Sequence, residues 1–421
     1  MSYFFAPDTN ARALRWGRVV EEWRRNGHEV VVITRPQPGS ARTADFHGAT
    51  VRHVGGRMGG WLRAALGVKD AATGGRAGGR SRPGVLSWAK GTARTIHSST
   101  WRRIYWPDHA AAWIGPARRS ANALIRDCTF DALITVSHPF SSHVVGLELK
   151  RTFPKLLWLA DSGDPFSFLE EIPLNNLNLY RARNHRVEGR VVEHADVLSV
   201  TVESCRLAYG ETFPQGAGKT VVIPPLVTGS GFAAGGAANA PVNLVYVGTL
   251  YQRIRNPGYL LRLLEAVPNL TLDVYGDTND CIEQFRALPA AVASRVTLHG
   301  TVPPLVARQA MAAAGTLVNI GNATRHQLPS KVFEYIATGR PILNLVGGDW
   351  DSSLPFLSRY RPCLSVTMSA TGPSDRDSAA IVEWLQKVPP AEEGEVERLL
   401  SPNRASAVAQ AYLDALSSVR P

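Results

Sequence analysis

The chain has 421 residues, 44% hydrophobic and 19% charged, which is the composition of a folded globular protein long enough for two domains. Its four cysteines, Cys128, Cys205, Cys281 and Cys363, stand far apart with no CxxC pair, so neither a zinc site nor a disulfide framework is expected and a reducing cytoplasm fits. The net charge is +11, and the stretch 51–126 alone carries 14 Lys or Arg against Asp70 and Asp108, a local +12 that leaves the remainder close to neutral.

The opening "MSYFFAPDTNARALRW" has no basic stretch followed by an apolar run of signal length. No apolar run anywhere reaches the roughly 18 residues of a spanning helix. "SYFFA" reads as a short strand. "ARALRWGRVVEEWRRNG" reads as a helix, with Leu14, Val19, Val20 and Trp23 near helical spacing and Gly27 as its stop. "HEVVVIT" is a continuous apolar run, as for a parallel strand buried on both faces.

The basic segment follows, glycine-rich around Gly74 to Gly79 and interspersed with Trp61, Trp88, Trp101, Trp106 and Trp113. Basic residues mixed with tryptophan suit an anionic membrane surface or another anionic partner; a solvated basic loop is the plainer reading. No helix-turn-helix, zinc-finger or RNP pattern is present, so nucleic acid is not expected.

Alternation resumes with the strand "DALITVS", a helix over 141–151, the strand "LLWLA", a helix ending near His194, and the strands "VLSVT" and "TVVIPPL". "GSGFAAGGAANA", 229–240, has the composition of a linker. A second series begins at "VNLVYVG" and runs through a helix near 257–266, "LTLDVYG", a helix near 281–288, "RVTLHG", a helix over 304–313, "TLVNI", the stretch "LPSKVFEYIATGR" and the strand "PILNL". Two such series predict an α/β protein of two Rossmann-like parallel-sheet domains, 1–228 and 241–402, facing across a cleft, with a C-terminal helix in 403–421 that can pack back on the first domain. Ligands of such sheets sit at the carboxyl ends of the strands.

In "LPSKVFEYIATGRPIL", Pro329 suits a first helical turn, Ser330 can satisfy free N–H groups, and Lys331 adds charge where the helix dipole already favours an anion. Glu334, on roughly the same face, can accept hydrogen bonds from paired sugar hydroxyls. Together they read as a grip on a nucleotide sugar; equally they read as a surface Lys–Glu pair at a helix start. His138 in "VSHPFSSHVVG" follows a strand and His143 opens the next helix, and Asp161 and Asp164 in "LADSGDPF" lie at a second strand end. These could meet acceptor or donor hydroxyls, or serve as a loop-capping histidine and turn-forming aspartates. "DWD", 349–351, matches a D-x-D metal pattern, but turn chemistry explains it at this place and no metal is expected. There is no Walker motif and no G-x-G-x-x-G, which argues against ATP or dinucleotide chemistry.

The segment "LPSKVFEYIATGRPIL" resembles the donor site of GT-B glycosyltransferases similar to glycosyltransferase family 4. "NARALRWGRVVEEWRRNGHEVVVIT" resembles their first βα unit, "YVGTLYQRIRNPGYLLRLLEA" the first unit of their donor domain, and "VVIPP" their interdomain approach. The resemblance implies transfer of a sugar, with retention and without metal or other cofactor, from a nucleotide-diphosphate sugar to a glycan or lipid-linked acceptor in envelope assembly. It implies Glu334 on the ribose, Arg255 with neighbouring Arg253 on the diphosphate, Lys331 and Ser330 beside them, and His138 near the reacting sugar. Two departures stand out. Many members carry two glutamates with seven residues between them, and the first, eight positions before Glu334, falls here on His326. A glycine pair in the first loop is replaced by Asn10, Ala11 and Arg12, so that Arg12 could supply a side-chain charge in place of backbone N–H groups. A nucleotide-sugar epimerase of the same fold, or a silent binding protein, are the alternatives; peripheral attachment to the cytoplasmic leaflet is the expected location.

Overall fold

The computed structural model describes residues 1–8, 10–55, 105–169, 173–227, 242–322, 324, 326, 328–329, 331–348, 351–388 and 391–419. Most of the basic segment, the 229–240 stretch, Ser330 and Asp349 therefore lie outside the described residues. The chain divides into two compact units, one of Met1–Pro225 with Ala405–Pro421 and one of Leu226–Arg404. Among the described residues no helix is long and apolar enough to cross a membrane.

The first unit contains β1 (Val31–Thr34), β2 (Thr43–Phe46), β3 (Ala49–His53), β4 (Ala132–Ser137), β5 (Leu157–Ser162), β6 (Val197–Val200) and β7 (Thr220–Val222). Its helices are α1 (Ala11–Arg25), α2 (Ile114–Asp127), α3 (Ser141–Thr152), α4 (Leu177–His194) and α5 (Glu203–Thr212). β4, β5, β6 and β7 form a parallel sheet in that order, and β1 pairs parallel with β3. The expected strand "SYFFA" is reduced to a single parallel bridge, Ser2 to Val136. It still joins the two groups: Ser2 N–H donates to Ile33 O at 3.1 Å, and Val136 N–H donates to Met1 O at 3.0 Å. The segment turns away after Phe4, where Asp8 N–H closes back on Phe5 O at 3.0 Å, so no ladder can extend. The basic segment begins inside β3 and ends inside α2, neither of which the sequence reading anticipated.

The helix α1 starts where Asn10 Oδ1 accepts from Ala13 N–H at 3.0 Å, buries Ala13, Trp16, Val19, Val20 and Trp23, and stops before Gly27 at φ +84°. β5 and β6 are buried almost throughout, which is why they read as unbroken apolar runs.

The second unit holds β8 (Asn243–Val247), β9 (Thr271–Tyr275), β10 (Val296–Gly300), β11 (Thr316–Ile320), β12 (Ile342–Val346) and β13 (Cys363–Thr367), with α6 (Gly258–Ala266), α7 (Pro304–Ala313), α8 (Lys331–Thr338), α9 (Asp375–Lys387) and α10 (Glu393–Leu400). The sheet order is β10-β9-β8-β11-β12-β13, all parallel. Its order reverses between β8 and β11, the point at which doubly wound sheets leave a crevice for ligands. Alternation along each strand splits the core in two. Leu244, Tyr246, Leu272, Val274, Val318, Ile320, Leu343 and Leu345 enter one cluster, and Val245, Val247, Leu317 and Ile342 enter the other, with Val332, Phe333 and Ile336 of α8. Each such fully buried aliphatic side chain contributes about 1.5–3 kcal/mol.

The chain then returns to the first unit as α11 (Ala405–Ser417). The Tyr412 ring lies 4.7 Å from that of Trp16, and Trp23 Nε1 donates to Ala409 O at 3.0 Å, which fixes α11 on α1.

Candidate functional site

In the second unit, side chains from three places converge at the reversal point. Arg255, in the loop after β8, donates from Nε to Asn322 Oδ1 just beyond β11 at 2.7 Å, bridging the two strand ends. Tyr335 of α8 is anchored at the end of β8, its hydroxyl accepting from Val247 N–H at 2.9 Å and donating to Val247 O at 3.3 Å. Burial drives the Tyr335 pKa far up, Tyr246 and Glu334 push the same way, and Arg255 opposes them, so Arg255 and Glu334 both lie within electrostatic reach of this ring. Lys331 Nζ donates to Glu334 Oε2 at 2.6 Å, with the glutamate side chain 14% exposed and the lysine 36%. As a surface pair that contact is worth a few tenths of a kcal/mol. Arg253 is exposed and makes no hydrogen bond among the described residues. Pro329 stands just ahead of α8, its carbonyl accepting from Val332 N–H at 3.1 Å. His326 is half-buried in the 321–330 stretch, where residues 323, 325, 327 and 330 fall outside the described set.

Glycine follows or ends β8, β9, β10, β11 and β12: Gly248, Gly276, Gly300, Gly321 and Gly347. At Gly276, φ is +145° and an added Cβ would lie 1.9 Å from Gly248 O, so no other residue fits. The missing side chains let neighbouring groups pack closely on the backbone, Gly248 O against Gly276 and the Asp351 carboxylate against Gly321. The repeated endings "VYVG", "DVYG", "TLHG", "VNIG" and "LVGG" carried this signal in the sequence. Asp351 faces inward instead: it is 1% exposed, accepts from Ser353 N–H and Oγ at 2.9 and 2.5 Å and from Asn344 Nδ2 at 3.2 Å. Its carboxylate belongs to a buried network with Asn319, register partner of Asn344, rather than to an open D-x-D pair. No cluster of ligating side chains with metal geometry occurs among the described residues.

The first unit behaves differently. Asp161, 1% exposed on β5, accepts from Trp16 Nε1 at 2.9 Å, Ser199 Oγ at 2.8 Å, Tyr412 OH at 2.9 Å and Arg12 Nη1 at 3.4 Å. Burial alone would raise its pKa, but the Arg12 and Arg15 guanidiniums and the bonds from Ser199 and Trp16 hold it below the usual carboxylate range. Arg15 closes the cluster by donating to Tyr412 OH at 2.8 Å and to Pro224 O at 2.6 Å. His143 is fully buried between Thr135 Oγ1 at 2.7 Å and Ser162 Oγ at 3.2 Å, and burial pushes its pKa down to about 3. Asn10 is spent on the α1 cap. Asp161 and His143 thus hold the scaffold in this geometry with no polar side-chain atom left over, and Asn10 gives its Oδ1 to the helix start.

Three others remain at the strand ends. Arg12 lies over Gly163, where an added Cβ would fall 0.6 Å from its Nη2. His138 Nε2 is buried without a hydrogen bond. Burial is the main influence lowering the His138 pKa, Asp164 and Asp108 oppose it, and Arg12 and His109 add to it, so these groups lie close together. Asp164 is half-buried and makes no hydrogen bond among the described residues. The N-terminus of α3 is already occupied by a protein carboxylate: Asp108 accepts from Ser141 N–H at 2.9 Å and Ser141 Oγ at 2.7 Å.

No family model matches the chain, and no curated protein sequence matches it. Solved structures do. Sucrose-phosphate synthase from Thermosynechococcus elongatus aligns over 98% of this chain and 96% of its own, with a TM-score of 0.64 at 15% identity. HepE from Anabaena, in complex with UDP and glucose, aligns over 99% and 98% with a TM-score of 0.62 at 11% identity. The pneumococcal O-GlcNAc transferase GtfA, in complex with UDP and GlcNAc, aligns over 73% of this chain and 60% of its own, with a TM-score of 0.52 at 13% identity. At these identities the likeness is one of fold, and the fold is that of the GT-B glycosyltransferases: two α/β units, each built on a parallel sheet.

Proposed function

We propose that the protein is a glycosyltransferase that takes a sugar from a nucleoside-diphosphate sugar, UDP-linked in the first instance, and passes it to a glycan or lipid-linked acceptor. The observation that carries this is the convergence of Arg255, Asn322, Lys331 and Glu334 at the glycine-rimmed reversal point of the second unit. The UDP-bound neighbours of the same fold support it. In this reading Arg255, Arg253 and Lys331 neutralise the departing diphosphate, an electrostatic role that needs no metal and no covalent intermediate. Glu334 accepts from the ribose hydroxyls. His138, Arg12 and Asp164 of the first unit address the sugar and the acceptor. The leaving phosphate oxygen takes the acceptor proton on the same face, which gives retention. An acceptor in a membrane agrees with the +12 segment and its tryptophans, each basic side chain near an anionic leaflet contributing about 1 kcal/mol.

The test is calorimetric titration of UDP, GDP and ADP, followed by a screen of their sugar conjugates for hydrolysis and transfer. Binding of one diphosphate, with release of it from the matching conjugate, is the expected result. Binding of none overturns the reading. Binding with sugar isomerisation and no transfer identifies an epimerase instead.

A further inference from the structure

Glu188 of α4 is 1% exposed and accepts four hydrogen bonds. Its Oε1 takes Phe166 N–H at 2.8 Å and Tyr209 OH at 2.7 Å; its Oε2 takes Ser167 N–H at 2.8 Å and Ser167 Oγ at 2.5 Å. Among the described residues no lysine or arginine pairs with it. A buried carboxylate with no counter-ion is costly, and both of its oxygens are fully used by donors. Two of those donors are backbone amides of the loop that follows β5, the loop that carries Asp164. The ring of Phe166, from the same loop, stacks on Phe140 at 4.0 Å and 10°. Phe140 belongs to the loop that follows β4, two residues after His138.

We propose that Glu188 is a positioning residue: by clamping the amides of Phe166 and Ser167 it sets the β5 loop, and through the Phe140–Phe166 stack the β4 loop, so that Asp164 and His138 are presented together at the strand ends. The role assigned to those two residues rests on the glycosyltransferase reading; the clamp itself does not. Only a carboxylate meets all four donors. A glutamine can accept two of them, while its own amide N–H groups oppose the others. Burial is the largest influence on Glu188 and raises its pKa, and the bonds from Ser167, Phe166 and Tyr209 oppose that rise.

The experiment compares wild type with Glu188→Gln and Tyr209→Phe by hydrogen exchange on the peptide 163–169, by calorimetric UDP affinity, and by kcat and KM for the nucleotide sugar that the screen selects. Glu188→Gln should speed exchange at Phe166 and Ser167 by tenfold or more and lower kcat by at least tenfold. Its UDP affinity, set in the other unit, should stay within twofold. Tyr209→Phe, which removes one donor and leaves both amides bound, should show smaller shifts in the same peptide. Unchanged exchange at 163–169 overturns the proposal, and so does protection lost evenly across the first unit, which would make Glu188 a general support. If Glu188→Gln does not fold, the localised change in Tyr209→Phe decides on the same criteria. If wild type binds no nucleotide, the functional reading fails while the exchange data still decide the clamp.

Discussion

Two groups of ionisable side chains, one in each unit, contrast in burial and bonding. In the first, Asp161 and His143 are sealed in and every polar atom of their side chains is bonded to the protein. In the second, Lys331 keeps about a third of its side chain exposed, Glu334 a seventh, and Arg253 faces solvent. Ionisable residues near the strand ends thus divide into scaffold and ligand candidates, and burial with hydrogen-bond saturation marks the difference. In this fold, a charged residue after a strand is a ligand candidate only while some of its bonding capacity is unspent.

That contrast can be broken by mutation. Asp161→Asn should destabilise the first unit most, by about 3–5 kcal/mol, because Arg15 loses its buried counter-charge. Chemical denaturation checks this; an unchanged midpoint with lost turnover would move Asp161 into the site. Arg255→Ala should leave the melting temperature nearly unmoved yet lower turnover on the order of 10²–10³-fold, the cost of removing one group that stabilises developing charge. Steady-state rates at saturating donor test it, and a wild-type rate would remove Arg255 from the chemistry. Glu334→Ala should weaken UDP binding by roughly 1–3 kcal/mol, measured by calorimetry on the folded variant.

The smallest effect sharpens the comparison through pH. Burial pushes the His143 pKa from its ordinary 6.5 down to about 3. The unfolded chain therefore binds the proton first as pH falls, and the stability that neutral His143 contributes is present above pH 6.5 and lost toward pH 3. Between pH 7.5 and 5.5 the loss is about 1.4 kcal/mol. His143→Gln should flatten that part of the pH–stability curve and leave UDP binding untouched; an unchanged slope would show that another group titrates.

The sequence made the sheets legible because parallel strands covered on both faces leave unbroken apolar runs, as in "TLVNI" and "PILNL". The β2–β3 hairpin was harder. Its strands "TADF" and "ATVRH" are half exposed, and its turn, His47 at φ 50° and Gly48 at φ 82°, sits beside the larger signal of the basic segment. The contact between Lys331 and Glu334 was readable because residues three apart on a helix share a face whatever surrounds them. Asp161 was not, because its fate is set by Tyr412, a partner 251 residues away. His138 and His143 differ only in which one the fold buries between Thr135 and Ser162, a distinction that no local pattern carries.

The return of α11 has a consequence for the order in which the protein is made. All of 226–404 is contiguous and can close as soon as it leaves the ribosome. The first unit, although its strands are synthesised earlier, waits for Tyr412 before Asp161 and Arg15 are satisfied. At typical elongation rates that wait lasts on the order of ten to forty seconds. Throughout it, Trp16 and Trp23 lack their cover, and the nascent chain offers chaperones an aromatic surface that the finished protein no longer has.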